Sequence, residues 1–348
     1  MSLRKLPVFV LMFLMIETTK PVAAQIDTAS ITSGLNSLKD KLGKQYVFML
    51  YANDKPVYKK EAGEFTVKTP VPVSAASQWI TAALVMTYVQ EGKISFNDKV
   101  SDYLPIFARH GKGYITLGHC LTFNTGIEAA EGIGKLFKKS KYKTLEDEVN
   151  DYAAKMEIGT NPGTEFRCSN IGFNIAARML EVITKKPYDR MVQERIFRPL
   201  NMRNASFANE NYNDAVSAAD GAKTSAADYL NFLAMLLNNG TFNNKQVLTP
   251  ESIITMFKRL EIGPNIKNTP KGLERMDYGS GVWMLENETD GPATVYTSPS
   301  LTGIWPVLDR CHQYAFILLT KPQSGEAKRE VMTRIKEMID DMMPASCQ

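Results

Sequence analysis

The stretch "PVSAASQWITAALVMTYVQEGKIS", Pro72 to Ser95, decides how the chain is read. Small residues lead into a run that sets Ile80, Ala83, Leu84 and Tyr88 at helical spacing, and Gly92 supplies the stop. The opening of such a helix is where a nucleophile is expected, so the question is which of its residues can attack anything. Upstream, "YVFMLYANDKPVYKKEAG" (Tyr46 to Gly63) is two β-rich runs around Asn53 and Asp54, a hairpin signal. Downstream, from about Phe96 to Met256, helical patterns alternate with polar loops. "NIAARMLEVITKKPYDRMVQERIF" is one such segment; "SAADYLNFLAMLLNNG" is another, with Ser225 as N-cap and Gly240 as closure. Strand patterns return in "DYGSGVWMLEN", "ATVYTS", "GIWPVLDR" and "YAFILLTK", before a final helix, "EAKREVMTRIKEMIDDMM".

Strands at both ends with helices between them imply an α/β architecture of the α+β type. The expected arrangement is one antiparallel sheet, from about residues 46–65 and 278–320, with a helical lobe at about 96–256 and a C-terminal helix at about 325–343. The cleft between sheet and lobe is the default binding site. The 348 residues are 44% hydrophobic and 22% charged, a globular composition that excludes disordered and collagen-like classes. The net charge of +4 has no basic arm behind it. Its one cluster, "KLFKKSKYK" (Lys135 to Lys143), runs into acidic "LEDEVND" and reads as a solvated loop and helix start, so no nucleic-acid partner is expected.

The N-terminus has the pattern of a secretory signal peptide over residues 1–24. Arg4 and Lys5 precede an apolar run from Val8 to Ile16, and Val22, Ala23 and Ala24 lead to a cleavage point before Gln25. The run falls short of the about 20 residues that span a bilayer. A secreted or periplasmic protein without a permanent membrane anchor is therefore expected. The four cysteines, Cys120, Cys168, Cys311 and Cys347, lack CxxC spacing, so no metal site is read, while an exported chain permits one or two disulfides of open connectivity. No cofactor motif is found.

From the hairpin to Lys321 the chain resembles the serine β-lactamase and penicillin-binding-protein superfamily, in its broad β-lactamase-related branch. "ITAALVMTYVQEGKISFNDKVSDYLP" is similar to the helix and connector that follow the nucleophile, and "ITLGHCLTFNTGI" to a "RHLLTHTSGL" run. "NPGTEFRCSNIGFNIAARMLEVI" resembles the second-motif region, "AADGAKTSAADYLNFLAMLLNNG" the segment beneath the cleft, and "TSPSLTGIWPVL" the third-motif region. The resemblance implies a serine hydrolase fold. It also implies an S-x-x-K pair, a Y-x-N motif, and a K-T-G or H-x-G motif on an edge strand.

In this sequence those seats have changed together. Aligned through Ser77 and Thr81, Ala75 stands at the nucleophile and Gln78 at the lysine. Ala75 has no hydroxyl, and Gln78 cannot act as a base. The second motif reads Cys168, Ser169, Asn170, so only the amide survives; the third reads Thr297, Ser298, Pro299, where proline also removes a backbone donor. Moving the register to Ser74 or Ser77 finds no lysine and breaks the match at Thr81. Losses within one catalytic unit remove most of the rate. The expectation is a pseudoenzyme that binds a ligand or protein partner in the former cleft, with Ser77, Asn170 and Ser298 lining it. The resemblance suggests peptide-like or cell-wall-derived ligands. The alternatives are an active esterase, peptidase or amidase with a non-standard nucleophile, and a scaffold with an occluded cleft.

Cys168 is a conceivable thiolate nucleophile if a base lies beside it, yet none of His110, His119 and His312 falls on a cleft position. His119 is read as a packing residue, and a Cys120–Cys168 bridge near the cleft is a further expectation. Trp79 fits either core or cleft lining. Asn170 fits either a ligand contact or a tie between two loops.

Overall fold

The computed structural model describes residues 26–128, 142–207, 214–260, 266–274, 276–286, 292–300, 303–320 and 325–347. The expected signal peptide and most of the lysine cluster lie outside the described residues.

One seven-stranded antiparallel sheet is built from both chain ends. Its order is Lys55–Ala62, Tyr46–Ala52, Tyr314–Thr320, Ile304–Asp309, Val295–Thr297, Trp283–Glu286, Asp277–Tyr278. Tyr46 pairs with Thr320 and Ala52 with Tyr314, so first and last strands lie side by side over their full length. Every residue of both is buried. That explains why "YVFMLYA" and "YAFILLT" run apolar rather than alternating, since both sheet faces are covered. The hairpin turn falls at Asn53 and Asp54, both left-handed (φ 51° and 59°), as a two-residue type I′ turn requires. The outer strand exposes Lys55, a charge at an edge that discourages further pairing.

One face carries the terminal helices. Thr28–Ser37, which the sequence patterns did not single out, packs on Gly325–Asp340 so closely that a Cβ on Gly34 would lie 2.1 Å from Met338 Sδ. Behind this pair the Cys311–Cys347 disulfide ties the chain end to the hairpin between the last two strands. Cys120 and Cys168 are both free thiols, so the expected Cys120–Cys168 bridge is corrected. Cys120 instead lies in a helix, Leu117–Leu121, whose backbone presses on Gly172.

The other face carries Ala226–Leu237, opened by Ser225, whose side chain accepts from Asp228 N as expected. Beyond it stands Ser77–Val89, buried from Ser77 to Tyr88 on all sides, which is why its sequence is apolar all round. Trp79 is core: fully buried, edge-on to Phe232 at 6.0 Å and packed against Phe257. The segment read as one helix from Asn174 to Phe197 is broken. Ile171–Thr184 ends at a left-handed Lys185, and Tyr188–Val192 restarts after Pro187, because the residue before a proline avoids the helical region.

Candidate functional site

The site begins at Ser74, whose φ of 44° puts a side-chain-bearing residue in the left-handed region. Such a conformation costs about 1–3 kcal/mol and persists only where neighbours enforce it. They do so here. Val73 N donates to Ala222 O at 2.9 Å, Ala222 N donates to Ser77 Oγ at 3.0 Å, and Tyr229 OH donates to Ala76 O at 3.0 Å. One turn further on, Thr81 Oγ1 donates to Ala218 O at 2.6 Å and lies 2.6 Å from Tyr188 OH. The sharp entry to the helix is therefore held by the 218–222 loop and by Tyr229, and the residue at the expected nucleophile seat is Ala75.

Ala75 is half-buried at this entry, and Gln78, three residues on and on the same helix face, is 5% exposed. The Gln78 amide makes no hydrogen bond to any of the described residues. Gly281, at φ 75°, approaches the same turn so closely that a Cβ there would lie 2.6 Å from Gln78 O. Ser77, expected to line the cleft, has no exposed surface, and its oxygen serves the loop.

Cys168 and Asn170 are both partly exposed, on the approach to Ile171–Thr184. Burial of the Cys168 sulfur pushes its thiol up to about 12, leaving it protonated at neutral pH. Among the described residues no histidine, lysine or carboxylate is hydrogen-bonded to Cys168 Sγ or Ser77 Oγ. His119 closes its own helix start, its Nδ1 accepting from Thr116 N at 3.1 Å, and burial lowers its pKa. His312 pairs with Asp309 at 3.0 Å, on the hairpin between the last two strands.

Asn170 settles as a loop tie: its Nδ2 donates to Asp220 Oδ2 at 2.7 Å. Behind it runs a network that sequence reasoning missed. Asn174 Oδ1 accepts from Ala218 N at 2.9 Å and Ala219 N at 3.3 Å, and its Nδ2 donates to Tyr152 OH at 3.2 Å. Tyr152 OH in turn donates to Glu148 Oε1 at 2.6 Å. Burial, and then the negative charge of Asp220, raise the Glu148 pKa. The only sequence signal for this network is an aspartate in the small-residue run "SAADGA".

The third-motif segment does not lie on a sheet edge. Thr297 pairs with Trp283 on one side and Val307 on the other, and its Oγ1 donates to Pro306 O at 2.6 Å. Ser298 is 2% exposed, Pro299 is buried, and Ser300 N donates to Ile304 O at 2.9 Å. Thr297 thus spends its hydroxyl on the neighbouring strand, and no ionisable side chain stands at this position.

The order of sheet, lobe, helix entry and loop tie has a counterpart among known proteins. A family model described as Beta-lactamase matches residues 42–337.

The chain belongs to the beta-lactamase family.

Two curated relatives of this beta-lactamase-family chain match over part of their length. Protein flp of Staphylococcus aureus (strain COL) is 24% identical over 150 residues, covering 41% of this chain and 29% of its own. D-alanyl-D-alanine-carboxypeptidase/endopeptidase AmpH of Escherichia coli (strain K12) is 23% identical over 168 residues, covering 47% and 43%. The matches thus span less than half the length of either relative. Among solved structures, one from Bacteroides dorei DSM 17855, described as a beta-lactamase, superposes with a TM-score of 0.77 at 25% identity, covering 91% of this chain and 100% of that one. The chain therefore has the beta-lactamase hydrolase fold, with Ala75 on the short 3-10 turn Ser74–Ala76 that leads into the central helix and Gln78 on that helix's first turn.

Proposed function

We propose that this protein has lost serine hydrolysis and binds a peptide-like or cell-wall-derived ligand in the former active-site cleft, outside the cytoplasm. The observation that carries this reading is the helix entry itself. A strained Ser74, three contacts with the 218–222 loop, one with Tyr229 and a close glycine preserve the geometry for a nucleophile, while the residue presented there carries a methyl group, Ala75. Strain of that kind costs stability, so its retention supports a cleft still in use. Nucleophilic attack needs a hydroxyl or thiol beside a base, and among the described residues no base is hydrogen-bonded to Ser77 Oγ or Cys168 Sγ, the hydroxyl at the helix start and the thiol of the second motif. The leader-like segment before Gln25 supports export.

A second reading, a scaffold with an occluded cleft, draws on the burial of Ser298, Pro299 and Ser300. Thermal unfolding with a soluble muropeptide separates the two, because a ligand selective for the native state raises the melting temperature. The binder reading expects a dose-dependent rise that disappears in Ala75→Trp, whose indole fills the helix entry, while that variant alone melts near the parent. No rise in the parent favours the scaffold.

A further inference from the structure

The site lacks the cation that the family resemblance implies and has a carboxylate on the loop beside it, and this selects a ligand. Gln78, a neutral amide, occupies the seat where the resemblance implies an ammonium group. Asp220, on the loop that holds the helix entry, brings in a carboxylate. Its Oδ2 accepts from Asn170 at 2.7 Å, while its Oδ1 has no hydrogen bond and no ion pair among the described residues. The described cations flanking the second motif are spent elsewhere: Arg167 and Lys267 both pair with Glu165, at 2.8 and 3.2 Å. Arg259, near the Gly281 turn, pairs with Asp277 at 2.9 Å.

A second and independent feature points to a ligand. Gln78 is 5% exposed, yet among the described residues nothing hydrogen-bonds its amide. The carboxamide carries what little exposure the residue keeps, so it opens to the surface rather than being sealed in the core and is free to meet a ligand. Its neighbours fix where it faces. Trp79 turns into Phe232 and Phe257, and Ser77 and Thr81 turn to the 218–222 loop. Gln78 is left on the face it shares with Ala75, under Gly281.

Resting on the ligand-binding reading above, we propose that the cleft recognises a ligand carrying an ammonium group and an uncharged amide, and rejects one that ends in a carboxylate. The ammonium is held by Asp220 with Asn170 beside it, and the ligand amide pairs with both ends of the Gln78 carboxamide. A terminal carboxylate would face the Asp220 carboxylate, while Arg167, Lys267 and Arg259 are already paired with other acids. The lost lysine is thus a change of specificity as well as a loss of chemistry.

Calorimetric titration of the mature protein at low salt and neutral pH, with D-alanyl-D-alaninamide and D-alanyl-D-alanine as probes, tests this. Both carry an ammonium group and only the second carries a carboxylate. The amide is expected to bind about tenfold tighter or more, and Asp220→Asn, isosteric and able to keep a partner in Asn170, to reduce that preference to about threefold or less. Gln78→Leu should weaken the amide by about tenfold. Equal or tighter binding of the free acid overturns the proposal. So does a preference that survives in Asp220→Asn while the variant melts like the parent. Absence of saturable binding by both dipeptides also overturns it; a muropeptide shift abolished by Ala75→Trp would then leave the binder reading standing alone.

Discussion

Ser77 Oγ accepts a hydrogen bond from the backbone N–H of Ala222 at 3.0 Å, joining residues 145 positions apart. The Ser77 hydroxyl, two residues past the expected nucleophile seat, is therefore a strut, since it fastens the helix entry to the loop bearing Asp220. Three of the loop's backbone N–H groups are satisfied by side chains, those of Ala218 and Ala219 by Asn174 and that of Ala222 by Ser77.

Ser77→Ala leaves the Ala222 N–H buried without its acceptor, which costs about 1–3 kcal/mol. Urea unfolding should show the midpoint falling with an unchanged slope. A midpoint equal to the parent's would remove Ser77 from this structural role.

Glu148 sets a pH dependence. Burial and Asp220 hold its carboxyl above the ordinary 4.5, so the native state favours the protonated form. The unfolded chain ionises first as pH rises past 4.5, so this group's favourable contribution, complete at lower pH, declines until the native carboxyl ionises too. Glu148→Gln, which keeps an oxygen for Tyr152 OH, should melt higher than the parent at pH 8, with the gap closing by pH 4. A gap that widens toward acid would contradict the assignment.

Lys336 offers a test at the far end of the sheet. Its ammonium, 3% exposed as a residue, lies 2.5 Å from Asp340, 3.0 Å from Glu286 and 3.3 Å from Asp309, and Asp309 has no exposed surface. Asp309, His312 and Asp340 converge as metal ligands would, but the Lys336 ammonium already reaches both aspartates. Lys336→Met strands a buried carboxylate and should destabilise by about 3–5 kcal/mol in denaturant titration. A loss under about 1 kcal/mol would mean that the carboxylates find other partners.

The sheet was legible in the sequence because its signals are local. Asn53–Asp54 marks the hairpin, and uninterrupted apolar runs at both ends mark strands covered on two faces. Ser225 marked a helix start for the same reason. The first-turn substitutions were legible because Thr81 and the alanines after it fix the register. What was missed depends on distant partners. Thr28–Ser37 buries only Ile31 and Leu35, too sparse a pattern to stand out before Met338 is seen against Gly34. Asp220 is one aspartate in a loop until Asn170, 50 residues away, is found bonded to it. The disulfide was open for the same reason, and the Cys120–Cys168 expectation failed: both are free thiols, Cys120 buried in a helix whose backbone packs on Gly172.

The most direct test of the central claim, a helix entry kept in shape but stripped of its nucleophile, is intact-protein mass spectrometry of the unaltered protein after prolonged exposure to a fluorophosphonate and to a fluorescent penicillin. The account predicts no mass increase with either reagent. A stoichiometric adduct mapped to any side chain between Ser74 and Thr81, or to Cys168, would contradict it.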